Sequence, residues 1–211
     1  MSALSVVFED ETVVALNKPA GQPTIPGRGE IGQPLIAQLE ADRGAKHFVV
    51  HRLDREASGL VLFAKDAETH RRLCVEFEAR RAKKVYLALV AGRLEGEGMV
   101  TEPLREFGPG RMGPSKDGKP SKTRWSVERV LNGCSLLCVE PVTGRKHQIR
   151  AHLAFLGHPI MGDPRYGPAP RPVGGVKRLM LHALSLRVEA SRLYDLSVPP
   201  PPDFSSVLAG R

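Results

Sequence analysis

His51-Arg52-Leu53-Asp54-Arg55-Glu56-Ala57-Ser58-Gly59-Leu60 sets one carboxylate, Asp54, between two arginines and just ahead of the apolar run Leu60-Val61-Leu62-Phe63-Ala64. The run reads as a buried strand. Burying an aspartate alone is costly, because desolvation disfavours its charged form. At a strand edge among cations it can stay ionised, and an ionised, partly desolvated carboxylate serves as nucleophile or base. Taken alone, the stretch reads first as a turn aspartate and a Ser-Gly bend feeding a strand.

Working outward, Phe48-Val49-Val50 reads as a strand entering this loop. Further upstream, Val6-Val7-Phe8 and Thr12 to Leu16 flank the acidic turn Glu9-Asp10-Glu11 and predict a hairpin. A short helix near Pro34 would bury Leu35, Ile36 and Leu39. Downstream, Asp66 is a good N-cap for a helix from about Ala67 to Ala82, with Leu73 and Phe77 on its inner face. Arg80, Arg81, Lys83 and Lys84 then suit the negative end of its dipole. Val85 to Val90 reads as a strand, and Leu94 to Lys122 as a loop-rich stretch. Thr123 to Leu131 and Ser135 to Val142 form a hairpin around Asn132-Gly133. A helix from about Lys146 to Leu156 ends at Gly157. Leu179 to Val188 is a final long strand. Pro199-Pro200-Pro201-Pro202 predicts a polyproline tail on the surface, over 199–211. Hairpins with interspersed helices, and no regular βαβα alternation, predict an α+β fold, with 1–198 as one catalytic domain.

The chain has 211 residues and 41% hydrophobic content, enough for a globular core. Thirty-one Lys and Arg against 23 Asp and Glu give a net charge of +8. That surplus favours an anionic partner, nucleic acid first, or marks a soluble basic protein with no polyanion partner. Three cysteines, Cys74, Cys134 and Cys138, leave one unpaired whatever the pairing, so a disulfide framework is excluded. No apolar window reaches transmembrane length, and Met1-Ser2-Ala3-Leu4-Ser5 lacks the pattern of a signal peptide. The expectation is a cytoplasmic, soluble monomer with no membrane contact and no obligate protein partner.

Six segments recur in a known order. The Asp54 stretch resembles the HRLD-x-x-[ST]-S-G signature of the RluA family of RNA pseudouridine synthases. Asn17-Lys18-Pro19-Ala20-Gly21 resembles the family's NKP-G turn, and Lys84-Val85-Tyr86 its K-x-Y element. Gly144 to His152 resembles GR-x-HQ-[IL]-R-x-H, Gly157 to Gly167 resembles GHPI-GD-x-x-YG, and Leu181-His182-Ala183 resembles LHA. One such match arises easily by chance; an ordered set up to Ala183 does not. Two departures, Ala57 and Lys146 where Thr or Ser is common, remove no group assigned to chemistry.

The resemblance implies a central mixed, mostly antiparallel sheet with flanking helices and loops. It implies isomerisation of a uridine in structured RNA, a ribosomal or transfer RNA stem-loop. Asp54 would be the essential nucleophile, Arg150 its guanidinium partner, and Tyr86 the ring on the target uracil. Arg52 would fill the stack that the flipped base vacates, or merely pair with an acidic group or phosphate. Leu181 would line the uracil pocket or simply pack in the core. Arg145 and Lys146, read as opening a helix, suit phosphate; His147, Lys83 and Lys84 are further RNA contacts. The 94–122 stretch is an RNA-facing flap or a surface insertion. Family members often carry an S4-type RNA-binding domain; here the pattern begins almost at Met1, so a compact form without it is expected.

No P-loop, no GxGxxG after a strand and no HExxH is present in the sequence. His147, His152 and His158 lack a metal-ligand spacing and read as structural donors or RNA contacts. Asp163 and Tyr166 read as groups that fix a loop. The expected isomerisation needs no cofactor and no metal. Two other classes compete: a non-catalytic RNA-binding protein that keeps the fold, and an unrelated hydrolase using Asp54. The first should have lost Asp54 or Arg150, and both are present. The second wants a paired carboxylate or a metal cluster, and neither is identifiable.

Overall fold

The structure is a computed structural model that describes residues 3–27, 32–108, 110–167 and 176–209. It is α+β, as expected. Contacts group the chain into two compact units, Met1–Lys84 with Ala183–Pro199, and Val85–His182 with Pro200–Arg211.

The first unit contains β1 (Val6–Glu9), β2 (Val13–Lys18), α1 (Leu35–Arg43), β3 (Phe48–Val49), β4 (Ser58–Ala64) and α2 (Ala67–Glu78). Every residue of β4 is buried, which is why its sequence is a continuous apolar run without alternation. β2 pairs antiparallel with β4 from Val13↔Ala64 to Lys18↔Gly59. β1 and β2 form the expected hairpin, closed by Asp10, whose carboxylate accepts the N–H groups of Thr12 and Val13. Val13, Ala15, Leu60, Leu62 and Leu73 share one core with Tyr194 and Val198. Asp66 caps α2 through Thr69 N–H at 2.8 Å.

Helix α2 stops at Glu78, short of the expected Ala82. Arg80 takes the left-handed conformation (φ 61°), a geometry usually left to glycine. Lys83 and Lys84 therefore do not lie in a helical turn. They open a strand, β5 (Lys83–Ala91), where Val85 and the ladder beyond it outweigh helix propensity.

Two further strands follow late in the chain, β11 (Leu181–Glu189) and β12 (Leu193–Ser197), paired antiparallel. Gly59 of β4 lies so close to the Ala183 backbone of β11 that a Cβ there would overlap its carbonyl oxygen, and its φ is +116°. Only glycine allows that approach.

The second unit is built on β10 (Cys134–Pro141). It pairs with β5 on one side and with β9 (Thr123–Leu131) on the other. β9 also pairs with β6 (Glu97–Val100). The Asn132-Gly133 turn joins β9 to β10 as expected, with Gly133 at φ 73°. The 94–122 stretch is more structured than its composition suggests. Besides β6 it holds the small hairpin β7 (Leu104–Glu106) and β8 (Met112–Pro114), and Val100 and Leu104 are buried; residue 109 lies outside the described residues.

Helix α3 (Gln148–Phe155) starts two residues later than expected, so Arg145 and Lys146 precede it. The segment expected to be a polyproline tail instead carries α4 (Pro202–Ala209). Proline is tolerated in a first helical turn, where its missing N–H has no partner to lose. The helix is anchored by Phe204, fully buried, and Val207. Gly210 and Arg211, also assigned to the tail, lie outside the described residues. Cys134 is buried, and no disulfide joins the three cysteines. No helix among the described residues is long and apolar enough to cross a membrane.

Candidate functional site

In the first unit, the Asp54 loop is held from several sides. Lys18 is fully buried, and its ammonium donates to the carbonyls of Pro19 (2.9 Å), Gln22 (2.7 Å) and Arg55 (3.0 Å). A charged amine out of water needs such partners, since it carries three donors. Arg55 also accepts from Gly21 N–H and returns its own Nε–H to the Gly21 carbonyl. Thr24 exchanges two bonds with Leu53, donating to its carbonyl and accepting its N–H. The 18–24 turn and the 51–57 loop are thus one hydrogen-bonded assembly. Between the fixed neighbours Leu53 and Arg55, the Asp54 side chain is half-buried. Arg52 is exposed.

His51 fixes the start of the loop. Its Nε2 accepts the Leu62 N–H at 3.1 Å, so the neutral ring carries its proton on Nδ1. The ring stacks on Phe77, with centroids 5.0 Å apart, and the Lys84 ammonium sits 5.8 Å from the Phe77 centroid. Burial, with the nearby Lys84 charge, pushes the His51 imidazolium down from 6.5 to about 3. Burial also pushes the Lys84 ammonium down. Lys83 is exposed.

The sign of the pH effect follows. Between pH 6.5 and about 3 the unfolded chain takes up a proton on residue 51 that the native chain refuses. Stability contributed by neutral His51 is complete above pH 6.5 and is lost as pH falls, at about 1.4 kcal/mol per pH unit. His51→Phe keeps the ring stack and should flatten urea-unfolding free energies by that slope between about pH 6 and 4.5. An unchanged slope in the variant would refute the assignment. At lower pH the depressed carboxyls of Asp10, Asp66 and Asp163 add their own losses.

In the second unit, Arg150 is 1% exposed, on the buried face of α3. Its Nε and Nη2 donate to the two oxygens of Asp163 at 2.8 and 2.9 Å, a bidentate pair. Asp163 also accepts the N–H groups of Arg165 and Tyr166. Burial raises the Asp163 carboxyl, but the guanidinium and both amides outweigh it and hold it below the usual carboxylate range. The Tyr166 ring lies 5.3 Å from the Arg150 guanidinium carbon. Its hydroxyl accepts the Met112 N–H and lies 3.1 Å from His147 Nδ1. The loop-fixing reading of Asp163 and Tyr166 therefore gains an object: together they orient Arg150. That link was hidden in the sequence, although the GD-x-x-YG spacing already placed both residues in one turn.

The remaining candidates fall around this cluster or in its strands. Gln148, buried, accepts from Thr143 and from Arg145 N–H, and donates to Lys122 O and Thr123 Oγ1. His152 completes the chain between Thr123 Oγ1 and the Glu102 carbonyl, and burial pushes its imidazolium down. Arg145 Nε donates to the Pro120 carbonyl, and Lys146 pairs with Glu106 at 3.2 Å. Tyr86 is half-buried on β5 opposite Val139. Leu181 is buried at the start of β11. His158 bonds the Ala91 carbonyl. Among the described residues, no group of three or more His, Cys, Asp or Glu side chains is placed to hold a metal.

Asp54 thus stands in an HRLD loop locked to an NKP turn, and Arg150 in a GR-x-HQ-I-R-x-H helix locked to a GD-x-x-YG turn. A family model described as RNA pseudouridylate synthase matches residues 12–155. The chain belongs to this family, in its RluA branch. It is 34% identical to the ribosomal large subunit pseudouridine synthase D of Nitrosomonas europaea, over 97% of this chain and 64% of the relative. It is 40% identical to the dual-specificity RNA pseudouridine synthase RluA of Vibrio cholerae, over 87% of this chain and 76% of the relative. Against the large subunit synthase C of Haemophilus ducreyi it spans 61% of the relative's length. The solved human RNA pseudouridylate synthase domain containing 1 superimposes with a TM-score of 0.84 at 26% identity, covering 97% of this chain and 87% of that one. The matching domain-containing 4 structure gives 0.81 at the same identity, over 97% and 92%. The expected fold class and family are both met.

Proposed function

We propose that the protein converts uridines of ribosomal RNA to pseudouridine, with Asp54 as the attacking group. The observation that carries the reading is the Asp54 loop. A buried lysine, Thr24 and an Arg55–Gly21 exchange fix the backbone on both sides of a carboxylate that is only half-buried. Such a group has its position set before substrate arrives, which lowers the reorganisation cost of attack.

Asp54 attacks C1′ of the ribose or C6 of the base. The N1–C1′ bond breaks, the uracil turns in place, C5 bonds to C1′, the bond to Asp54 breaks to return the free carboxylate, and N1 takes up a proton. The proton leaves C5, and Tyr86 packs on the ring and assists its removal. Electrons and atoms balance within the nucleotide, so no redox partner enters. Arg150, whose orientation Asp163 and Tyr166 set, is the catalytic guanidinium of the family pattern. Arg52 occupies the vacated stack. Arg145, Lys146, His147, Lys83 and Lys84 hold RNA phosphates, and Leu181 lines the uracil pocket. The protein works as a monomer. Stem-loops of transfer RNA are a second substrate class, in keeping with the dual-specificity relative.

The test follows a single atom. Ribosomal and transfer RNA transcribed with uridine tritiated at C5 are incubated with the protein alone, without added nucleotide. Conversion releases tritium to water. No release from either RNA would overturn the proposal.

A further inference from the structure

A basic cleft of about 660 Å³ opens within the first unit, between α2 and the β11–β12 hairpin. Five cations line it, Arg71, Arg72, Arg81, Lys83 and Arg187, against only two acids, Glu76 and Glu189. Three of the cations have acidic partners: Arg72 with Glu68, Arg81 with Glu76, and Arg187 with Asp195. Arg71 and Lys83 are exposed and make no ion pair among the described residues. The cleft is not merely charged. Val75, Val188 and Leu193 line it too, and Val75 and Leu193 are each 50% exposed. None of the chemistry assigned above needs these apolar residues or Arg71.

We propose that this cleft is a second RNA site, which holds a single-stranded segment of the substrate RNA outside the target uridine. Arg71 and Lys83 take successive phosphates, and one unstacked base lies over the Val75–Leu193 floor. The partner is chosen by charge complementarity. A net excess of three cations around an apolar strip suits a polyanion whose charges alternate with flat apolar rings. Guanidinium planes at the rim add a stacking surface for bases. Exposed pairs such as Arg187–Asp195, at 3.5 Å, are worth little by themselves, so a phosphate displaces the acid at small cost. Lys83 begins the strand that carries Tyr86, so RNA held here continues along an element already assigned to the substrate.

The proposal rests on the isomerase reading for the identity of the RNA, and its test is separate from that reading. Binding of a fluorescein-labelled large-subunit ribosomal RNA transcript is measured by anisotropy over a salt series, for the wild type and Arg71→Glu/Lys83→Glu. Loss of two single-strand phosphate contacts should make the plot of log affinity against log salt shallower by roughly 1.4. The neutral variant Arg71→Gln/Lys83→Gln should do the same, which separates lost contacts from added repulsion. Arg93→Glu/Arg129→Glu changes the net charge equally outside the cleft and should leave the slope as in wild type. Equal slopes in all variants would overturn the proposal. So would displacement of the transcript by poly-glutamate at equal charge, which would assign the cleft to an acidic protein. Tritium release by the wild type reports the isomerase reading independently. Release with cleft-insensitive binding sinks the cleft, and the Lys83 phosphate contact with it, and leaves the isomerase standing; cleft-dependent binding without release sinks only the isomerase.

Discussion

Asp54→Ala is expected to reduce pseudouridine formation by at least about 10⁴-fold, the scale on which removal of a nucleophile acts in enzymes that form covalent intermediates. The fold should not suffer. The loop is held through the backbone of Leu53 and Arg55 and through Lys18. RNA affinity should stay near that of the wild type, since loss of a negative charge does not weaken a polyanion complex. The measurement is tritium release under single-turnover conditions, with anisotropy on the same RNA. Near-normal release by Asp54→Ala would remove the residue from the mechanism. Arg150→Lys should lower release without abolishing binding, because a lysine cannot present two parallel N–H groups to one carboxylate.

Asp163→Ala should give the largest loss of stability among single changes at charged positions. Arg150 is 1% exposed and its partner's side chain 0%. Removing the carboxylate leaves a buried guanidinium without its bidentate acceptor, and two amide N–H groups, of Arg165 and Tyr166, without theirs. Breaking a buried pair from one side costs about 3–5 kcal/mol. In a chain of this length that lowers the melting temperature by roughly 10 °C. Arg150→Met/Asp163→Leu should recover much of the stability, since the desolvation cost goes with the charges, while release of tritium stays lost. Calorimetry and the isotope assay on the same samples separate the two roles. A melting temperature within about 2 °C of wild type in Asp163→Ala would contradict the account.

The sequence carried the site's main residues because their types are costly to place without reason. An aspartate between arginines at the mouth of a buried strand is such a case, and so is the Asp66 cap. Lys18 was not legible in the same way. Beside Pro-Ala-Gly, a lysine reads as a solvated turn residue, and only the arrival of three carbonyls explains its burial. The helix limits shifted for local reasons. Arg80 adopts a glycine-like backbone that no glycine announces. Gln148 takes the Arg145 amide with its side chain and so starts α3 late. The proline run hid α4, because its helix begins on the last proline and its anchor, Phe204, comes only afterwards. The pairing of Arg150 with Asp163 joins residues 13 apart across a turn, a distance over which periodicity says nothing.

The buried amine of Lys18 has one more implication, for chemical labelling. Reagents that acylate or methylate lysines require a neutral, accessible nitrogen, and here the nitrogen lies out of contact with solvent with all three N–H bonds spent on carbonyl oxygens. The other lysines would react at the surface while this one waits for the turn around it to open. Its slow modification would therefore act as a clock for how often the Asp54 loop comes undone.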